Sequence, residues 1–592
     1  MPHSEELAGR RHTLAHLLAA AVLRHYPHAK PTIGPAIENG FYYDFDFGDG
    51  PKPGADDLPR LTQTMRELLP QWTEWKRKEV NPDEAKAVFA DNPYKLELID
   101  ELEREGVTIT LYTCGGFTDL CRGGHAPRPA QDIDPQSFTL DRVAGAYWRG
   151  DENNPMLTRI YGLAFASASE LQDFLAQREE AKKRDHRKIG KELDLFTFSE
   201  LVGPGLPLWT PLGTTMRILL DQYVWQLRSR FGYQRVTIPH LTRKALYETS
   251  GHWEKFADEL FKVISREEKE MALKPMNCPH HTQIFARRPH SYREMPQRFA
   301  ETTMVYRDEQ SGELGGLTRV LSITQDDSHV FCRVNQIQQE FFSIWDIVDT
   351  FYKTFGFVLR VRLSFHDPQH PEKYLGSEEV WARAESALRE IAKERGADYF
   401  EAPGEAAMYG PKLDFMAKDS LGREHQVATI QLDFNLPERF NLTCVNEKGE
   451  EERVVMIHCA IMGSIERFSA VLLEHTAGHL PFWLAPEQVR VIPVSESELK
   501  DAQEAAAEFA REGIRASVSE PSSSLGKRVR EAAASKIPIR AVIGKREVRD
   551  GTLTLTHAPT NTTTTLGRSE ALEVFRSHNQ LGASDIRLEP QA

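Results

Sequence analysis

Two runs cut this chain: FSELVGPGLPLW (198–209), full of glycine and proline, and LPFWLAPEQ (480–488), with two prolines. Proline removes a backbone donor and glycine loses most entropy on ordering, so neither run can lie inside a regular helix or strand. A single hydrophobic core stops growing near ~250–300 residues, and this chain has 592. The breaks therefore read as seams between separately built domains. Upstream of the first seam, LQDFLAQREEAKKRDHRKIGKEL (171–193) lacks proline and has glycine only near its end. It predicts one charged connecting helix, its basic run a solvated face with internal ion pairs in preference to a nucleic-acid contact. The expected boundaries fall at residues 165, 193 and 484.

Within these limits the local patterns differ. The first segment mixes a helical opening with aromatic strands such as GFYYDFDF (40–47) and a Cys/Gly-rich stretch near 111–129. The middle segment alternates helices and strands irregularly, with VLRVRLSF (358–365) and ATIQLDFNL (428–436) as strands. The tail reads strand, helix, strand, helix, strand through VRVIPV, ELKDAQEAAAEFAREG, IRASVS, LGKRVREAAAS and IRAVIG. That order predicts a small α/β module with a mostly parallel sheet. No apolar run approaches the ~20 residues of a membrane span, and the N-terminus lacks the pattern of a secretory signal. Six irregularly spaced cysteines fit a reducing cytoplasm, where a cysteine that matters is a ligand or a nucleophile. A net charge of −14 argues against a broadly basic nucleic-acid coat while leaving room for a local basic patch.

Two short motifs carry chemistry in the first segment. HTLAH (12–16) stacks His12 and His16 on one helical face, and DLCRGGH (119–125) offers Asp119, Cys121 and His125. Two imidazoles, a thiol and a third imidazole make a zinc set on paper. The first motif lacks the glutamate with which a metalloprotease activates water. Left metal-free, the same groups can orient a water and shuttle protons; buried structural histidines are the third reading. In the middle segment, Cys278 in KPMNCPHH, His329 in TQDDSHVFC and His458 in VVMIHCAIMGSIERF are too far apart for spacing alone to join them. Arg307 and Arg467 are suited to clamp phosphate or carboxylate oxygens.

NCPHH, YRDEQSGELGGLTRV, TQDDSHVF, MYGPKLDF, ATIQLDFNLP and MIHCAIMGSIERF, in this order, resemble the catalytic core of bacterial threonyl-tRNA synthetases. HTLAH, DLCRGGH and GAYWRGDENNPMLTRIYG (145–162) resemble that family's editing domain, so the likeness covers nearly the whole chain. The resemblance implies a multidomain α+β protein. Its parts would be an α+β editing domain (1–165), a linker helix (166–193), a class II antiparallel-sheet catalytic domain (194–484) and an α/β anticodon-binding domain (485–592). It implies a cytoplasmic homodimer with Pro239 at the interface, acting on tRNA(Thr), threonine and ATP with magnesium. Cys278, His329 and His458 would hold one zinc per subunit. Gln325, Asp327, Tyr409, Gln431 and Met276 would line the threonine pocket, with Asp327 accepting the hydroxyl proton. Arg307 would hold the α-phosphate, and Glu309, Arg319, Lys412, Gln426 and Arg467 would complete the catalytic and ATP positions. A hydroxyl-binding zinc rejects valine but not serine, because one methyl contact is worth only ~1–3 kcal/mol. The resemblance therefore implies a second, hydrolytic site for seryl-tRNA(Thr) at His12, His16, Tyr43, Lys95, Asp119, Cys121 and His125, metal-free.

Some positions depart from the family pattern. Leu321, Ser322 and Ile323 stand where arginine, glycine and an adenine-stacking phenylalanine are usual, Tyr306 where histidine is common, and His280 where glycine is. Glu547 matches an anticodon-domain position, whereas Ile539 and Thr556 replace the usual tyrosine and base-reading arginine. The chain opens directly on the editing-type segment, which leads to the expectation of a form without the small ubiquitin-like domain that often comes first. A complete ligase with editing is the expected function. The alternatives are a paralogue that binds nucleic acid or activates an amino acid without efficient charging, and a zinc hydrolase in the first segment.

Overall fold

In the computed structural model, which describes residues 2–586 and 588, the chain divides into two units, 1–179 and 180–592. Helix α1 (Pro2–His25) opens the first unit, and from Leu14 to Val22 its apolar side chains are buried on several sides. Strand β1 (Gly40–Asp46) supplies one cover: Phe41, Tyr43 and Phe45 alternate onto one face and join the α1 core. On the other face Asp44 takes both arms of Arg159, at 2.7 and 2.8 Å. Helix α2 (Leu58–Leu68) packs across α1. Strand β2 (Lys76–Val80), helix α3 (Pro93–Arg104) and strands β3 (Ile109–Cys114) and β4 (Phe117–Leu120) follow, with β2, β3 and β4 in one antiparallel sheet. Strands β5 (Phe138–Tyr147) and β6 (Met156–Ala164) complete the β1 sheet.

The charged connector expected as one helix is two, α4 (Ala168–Lys183) and α5 (His186–Glu192). The break is chemical. Asp185 accepts a hydrogen bond from the Arg187 amide at 2.8 Å and caps a new helix where the old one could have continued.

Helix α6 (Pro211–Ser229) precedes the main sheet of the second unit, and α7 (Cys278–Ala286) follows that sheet's first short strand. That sheet has eight strands. In chain order they are Gln234–Arg235, β7 (Gln297–Tyr306), β8 (Ser322–Cys332), β9 (Val358–Phe365), β10 (Tyr399–Pro403), β11 (Lys412–Lys418), β12 (Glu424–Asp433) and β13 (Val455–Ala460). In space they run 234–235, β7, β8, β13, β12, β11, β9, β10. Pairing is parallel at the two edges and antiparallel elsewhere. Helices α8 (Ile337–Thr354) and α9 (Ile465–His475) bury Phe341, Trp345, Phe351, Phe468 and Leu472 in the same core as the strands.

Alternation along β8 decides which side does what. Thr324 and Asp326 turn toward the helices: Thr324 bonds Glu466 of α9, and Asp326 takes Arg228 of α6 and the Ile461 and Met462 amides. Ile323, Gln325, Asp327 and His329 turn the other way.

The tail begins as expected, with β14 (Val489–Pro493), α10 (Leu499–Arg511), β15 (Ala516–Val518), α11 (Leu525–Ala534) and β16 (Ile539–Ile543). It then adds β17 (Thr552–His557) and β18 (Thr563–Gly567). The sheet expected to be mostly parallel is parallel only across β15, β14 and β16. The link from Ile543 to Thr552 is shorter than the dozen or so residues a parallel crossover needs, so β17 returns antiparallel. Among the described residues no helix is long and apolar enough to cross a membrane.

Candidate functional site

Register assembles the larger site. Across the antiparallel strands His329 of β8 faces His458 of β13, His458 faces Gln431 of β12, and Gln431 faces Lys412 of β11. Residues that share a row share a face, so four polar side chains from four strands border one chamber. Asp327 faces Ala460 one register step away, and that small residue leaves the chamber open.

Cys278 comes to this row from the first position of α7. One donor atom from each of Cys278, His329 and His458 lies within 4.8 Å of the others, and all three residues are buried. Their other hydrogen bonds point outward. His458 bonds Asp433 through Nε2 at 2.9 Å, and Asp433 is itself fixed by the Asn435 and Leu436 amides. His329 shares a proton between its Nδ1 and that of His281 at 2.7 Å. Each imidazole thus keeps its second nitrogen for the cluster, the usual wiring of histidine ligands in metal proteins. Burial, reinforced by the charges of Asp327 and Asp433, pushes the Cys278 thiol well above its ordinary range. A cation between the three donors would reverse that penalty. The donor set fits a zinc tripod with room for further ligands.

Two clefts meet above this row. One, of about 340 Å3, is lined by Met276, Cys278, Asp327, Tyr409, Lys412 and Gln431 among others. The second, of about 410 Å3, is bordered by Glu309, Arg319, Ile323, Gln426, Ser464 and Arg467. Arg307, Gln325 and Thr429 line both. The buried Arg307 Nε and Thr429 Oγ1 have no protein partner, so donors stand ready where the clefts join. Asp327 accepts from Asn277 at 2.9 Å, and Tyr409 bonds Gln431 while its ring stacks on His458. Gln426 is clamped by Asp414 and Arg362 at 3.0 and 2.7 Å, and Lys412 lies 3.7 Å from Asp414. Arg319 pairs with Glu309 and Glu313 at 2.6 and 3.0 Å. Ile323 and Val320 give the second cleft an aliphatic wall. Leu321 turns instead toward the 198–209 loop, where a Cβ on Gly205 would meet its Cγ at 2.9 Å. Tyr306 bonds His240, and His280 is buried near Tyr247.

The first unit gathers the other set. His12 and His16 project from α1, Tyr43 from β1, Lys95 from α3 and Asp119 from β4, while Cys121 and His125 lie in the loop beyond β4. Gly123 and Gly124, with φ of +99 and +82°, fold that loop back, and a Cβ on Gly123 would strike the Tyr112 hydroxyl at 2.7 Å. The loop is pinned to α1 where the Ala126 amide donates to Thr13 Oγ1 at 2.9 Å. Here the hydrogen bonds point inward. Cys121 Sγ is 3.5 Å from His12 Nε2 and 3.3 Å from His125 Nε2, and His12 Nε2 is 3.2 Å from His16 Nε2. The His125 ring stacks on Trp75.

Behind the quartet, Asp119 accepts from the Tyr43 hydroxyl and pairs with Lys95, both at 2.5 Å, and lies 3.0 Å from His16 Nδ1. Burial would raise the Asp119 pKa, but Lys95 and His16 hold it well below the usual carboxylate range. Burial would likewise lower His16, yet Asp119 and Cys121 bring it up to about 9. Burial would raise Cys121, and its bonds to His12, His125 and His16 bring it down to about 4. These shifts favour a thiolate at half-buried Cys121 and an imidazolium at buried His16, beside a cleft of about 250 Å3 that Cys121 and Arg122 help to line.

Every residue expected for the threonine, ATP and zinc positions borders the two joined clefts, and all seven of the first-unit set form one connected cluster. Sequence reasoning missed His281, Asp433, Asn277, Thr429 and Trp75, none of which carries a local spacing signal. Glu547 sits in the short helix Lys545–Asp550, with its carboxylate taken by the Gly544 amide and the Thr554 hydroxyl at 2.9 and 3.1 Å. Ile539 is buried, and Thr556 pairs with Thr563 on β18.

Comparison with known proteins follows the same lines. Residues 261–476 match the tRNA synthetase class II core domain (G, H, P, S and T), residues 488–578 an anticodon binding domain, and residues 109–161 the threonyl and alanyl tRNA synthetase second additional domain. The threonine–tRNA ligase of Deinococcus radiodurans is 48% identical over 545 residues, covering 91% of this chain and 83% of that protein. That of Porphyromonas gingivalis is 49% identical over 544 residues, covering 91% and 82%. The solved RNA binding domain of threonyl-tRNA synthetase from Cryptosporidium parvum superposes with a TM-score of 0.63 at 39% identity, covering 67% of this chain and 98% of that one.

Proposed function

This chain belongs to the threonine–tRNA ligases of the class II synthetases, and on that footing we propose that it charges through a zinc-bearing chamber and corrects through a metal-free one. The enzyme ligates threonine to tRNA(Thr) with ATP. The observation that carries the finer reading is the junction of the two clefts at Arg307, one of them ending on the Cys278, His329 and His458 tripod.

In this reading the larger cleft takes ATP with magnesium and the other takes threonine. The threonine carboxylate oxygen attacks the α-phosphorus and pyrophosphate leaves. Arg307 faces the oxygens on which charge grows. Glu309, Arg319, Gln426 and Arg467 hold the nucleotide, and Lys412 lies beside the joined region. The terminal tRNA hydroxyl then attacks the acyl carbon and AMP leaves. A zinc held by Cys278, His329 and His458 would supply coordination positions for the threonine amine and hydroxyl, of which valine could fill only the first. Asp327 accepts the hydroxyl proton, while Met276, Gln325, Tyr409 and Gln431 shape the pocket.

Serine passes that filter because only ~1–3 kcal/mol of methyl contact opposes it. In the first unit the His12, His16, Cys121 and His125 cluster, held by Asp119, Lys95 and Tyr43, orients a water and moves its protons. The water attacks the seryl ester, tRNA(Thr) leaves with its hydroxyl restored, and serine departs. The approach of the four groups to one another at 3.2 to 3.5 Å supports a metal-free proton relay, in which His12 Nε2 either accepts from His16 or donates to Cys121. The domain limits 1–165, 166–193, 194–484 and 485–592, a cytoplasmic homodimer meeting near Pro239, and an anticodon role for Glu547 belong to the same reading.

The test is hydrolysis of seryl- and threonyl-tRNA(Thr) by the purified protein, with zinc counted in parallel. Selective loss of the seryl ester at about one zinc per chain is expected. The four first-unit donors also lie within 4.8 Å of one another, which makes a second zinc the competing reading. About two zincs per chain, with hydrolysis abolished by chelation, would transfer the assignment to it.

A further inference from the structure

His186 opens helix α5, is 5% exposed, and lies among residues that no step above employs. Its ring nitrogens have unlike partners. The backbone amide of Leu317 points at Nε2 from 3.1 Å, and a backbone amide can only donate. Nε2 is therefore the acceptor, and Nδ1 carries the proton, which it donates to Glu474 Oε1 at 2.7 Å. Glu474 is steadied in turn by Arg423, whose Nη2 donates to Oε2 at 2.7 Å. Asp185, His186 and Glu474 lie close enough together to resemble a cation site. Both ring nitrogens are already used, however, and Asp185 is committed to the Arg187 side chain at 2.5 Å.

The two ends of this chain of bonds matter. Leu317 directly precedes Thr318, Arg319 and Val320, which line one side of the cleft assigned to ATP. Glu474 is in the last turn of α9, and the start of that helix carries Ser464 and Arg467 on the cleft's lining. The loop also presses close: Gly316, at φ +60°, would with a Cβ strike His186 Nε2 at 2.4 Å. We infer that His186 is a positioning residue, a strut that sets the span between Arg319 and Arg467 and so tunes nucleotide binding, not threonine binding. The inference rests on reading that cleft as the ATP site.

The test is threonine-dependent ATP–pyrophosphate exchange on the full-length enzyme. His186→Asn keeps a donor for Glu474 but offers nothing to the Leu317 amide. His186→Gln offers that amide an acceptor, while the backbone amide of residue 186, which also donates to Glu474 Oε1 at 3.1 Å, keeps the other end tied. For the strut, His186→Asn raises KM for ATP roughly five- to tenfold, with KM for threonine and kcat near wild type. His186→Gln stays within about twofold for all three constants. An unchanged KM for ATP in His186→Asn, a parallel rise in both KM values, or a His186→Gln variant as impaired as His186→Asn overturns the inference. Arg467→Ala serves as control. If it raises KM for ATP and His186→Asn does not, the strut falls alone; if neither does, the cleft assignment falls and the strut with it.

Discussion

Cys121 and Cys278 sit in clusters of nearly the same composition, wired in opposite directions. Around Cys121 three imidazoles turn Nε2 toward the sulfur or toward one another, with His16 Nδ1 left to Asp119, and the thiol falls to about 4. Around Cys278 the imidazoles spend one nitrogen each on outer partners, His281 and Asp433, and the thiol, without a cation, is pushed far up. Inward wiring satisfies the donors and stores opposite charges next to a cleft. Outward wiring leaves three donors converging on a point. In the proposed reading the bonds within each cluster, not the kinds of residue, separate a proton-handling pocket from a metal site, although His16 meets Asp119 through Nδ1 much as His458 meets Asp433.

The comparison breaks first at its cysteine and histidine. Cys278→Ala is expected to lose bound zinc and to drop threonine activation to background while seryl-tRNA(Thr) hydrolysis persists. His12→Ala is expected to keep zinc and activation and to lose hydrolysis by about 10²- to 10⁴-fold. Paired assays of both reactions on each variant check this, and a variant that loses both reactions together would count against two separate chambers.

Asp119→Asn removes the only carboxylate paired with the buried Lys95 among the described contacts. An uncompensated buried charge costs about 3–5 kcal/mol, so the first unit should unfold more readily. Faster hydrogen exchange in α1 and β1, with the second unit unaffected, is the expected record; unchanged exchange would remove Asp119 as the anchor.

Asp433→Asn weakens the outer partner of His458 and is expected to lower zinc affinity about 10- to 100-fold, read by competition with a chelator. The same titration on Cys121→Ser is expected to match wild type.

The smallest effect is in pH. Cys121 is ionised above about 4 and His16 is protonated below about 9, so the charged pair exists between those values. It is lost as pH falls through the first or rises through the second. Cys121→Ser removes one of the anions that support His16, and the alkaline limb of seryl ester hydrolysis is expected to move down by on the order of one pH unit. A limb that stays put would falsify the coupling.

What could be read in the chain beforehand follows the range of the interactions. VLRVRLSF spans β9, and the tail's first five elements appear in the expected order, because periodicity is local. The connector misled because helix propensity outvoted a single capping aspartate, although Asp185 within RDHRK was the available signal. The tail's sheet misled because the antiparallel return depends on a short link and not on any strand's composition. HTLAH and DLCRGGH were visible as pairs, since four-residue spacing is a helical or loop-scale fact. Asp433, His281 and the Leu317–His186–Glu474 chain were not, because their partners lie far away in sequence and only register and packing bring them together.

The row His329, His458, Gln431, Lys412 has a bearing on how such an enzyme can change over time. Each member can be exchanged singly, and the cost stays at one position. Loss or gain of a single residue within β8, β12 or β13 instead turns every side chain beyond it to the opposite face, removing metal donors and pocket walls in one event. Within these strands drift by substitution is open, whereas a change of length survives only where a bulge absorbs it, as where Phe415 and Met416 of β11 face Ala428 and Gln426 of β12, or in the links between strands.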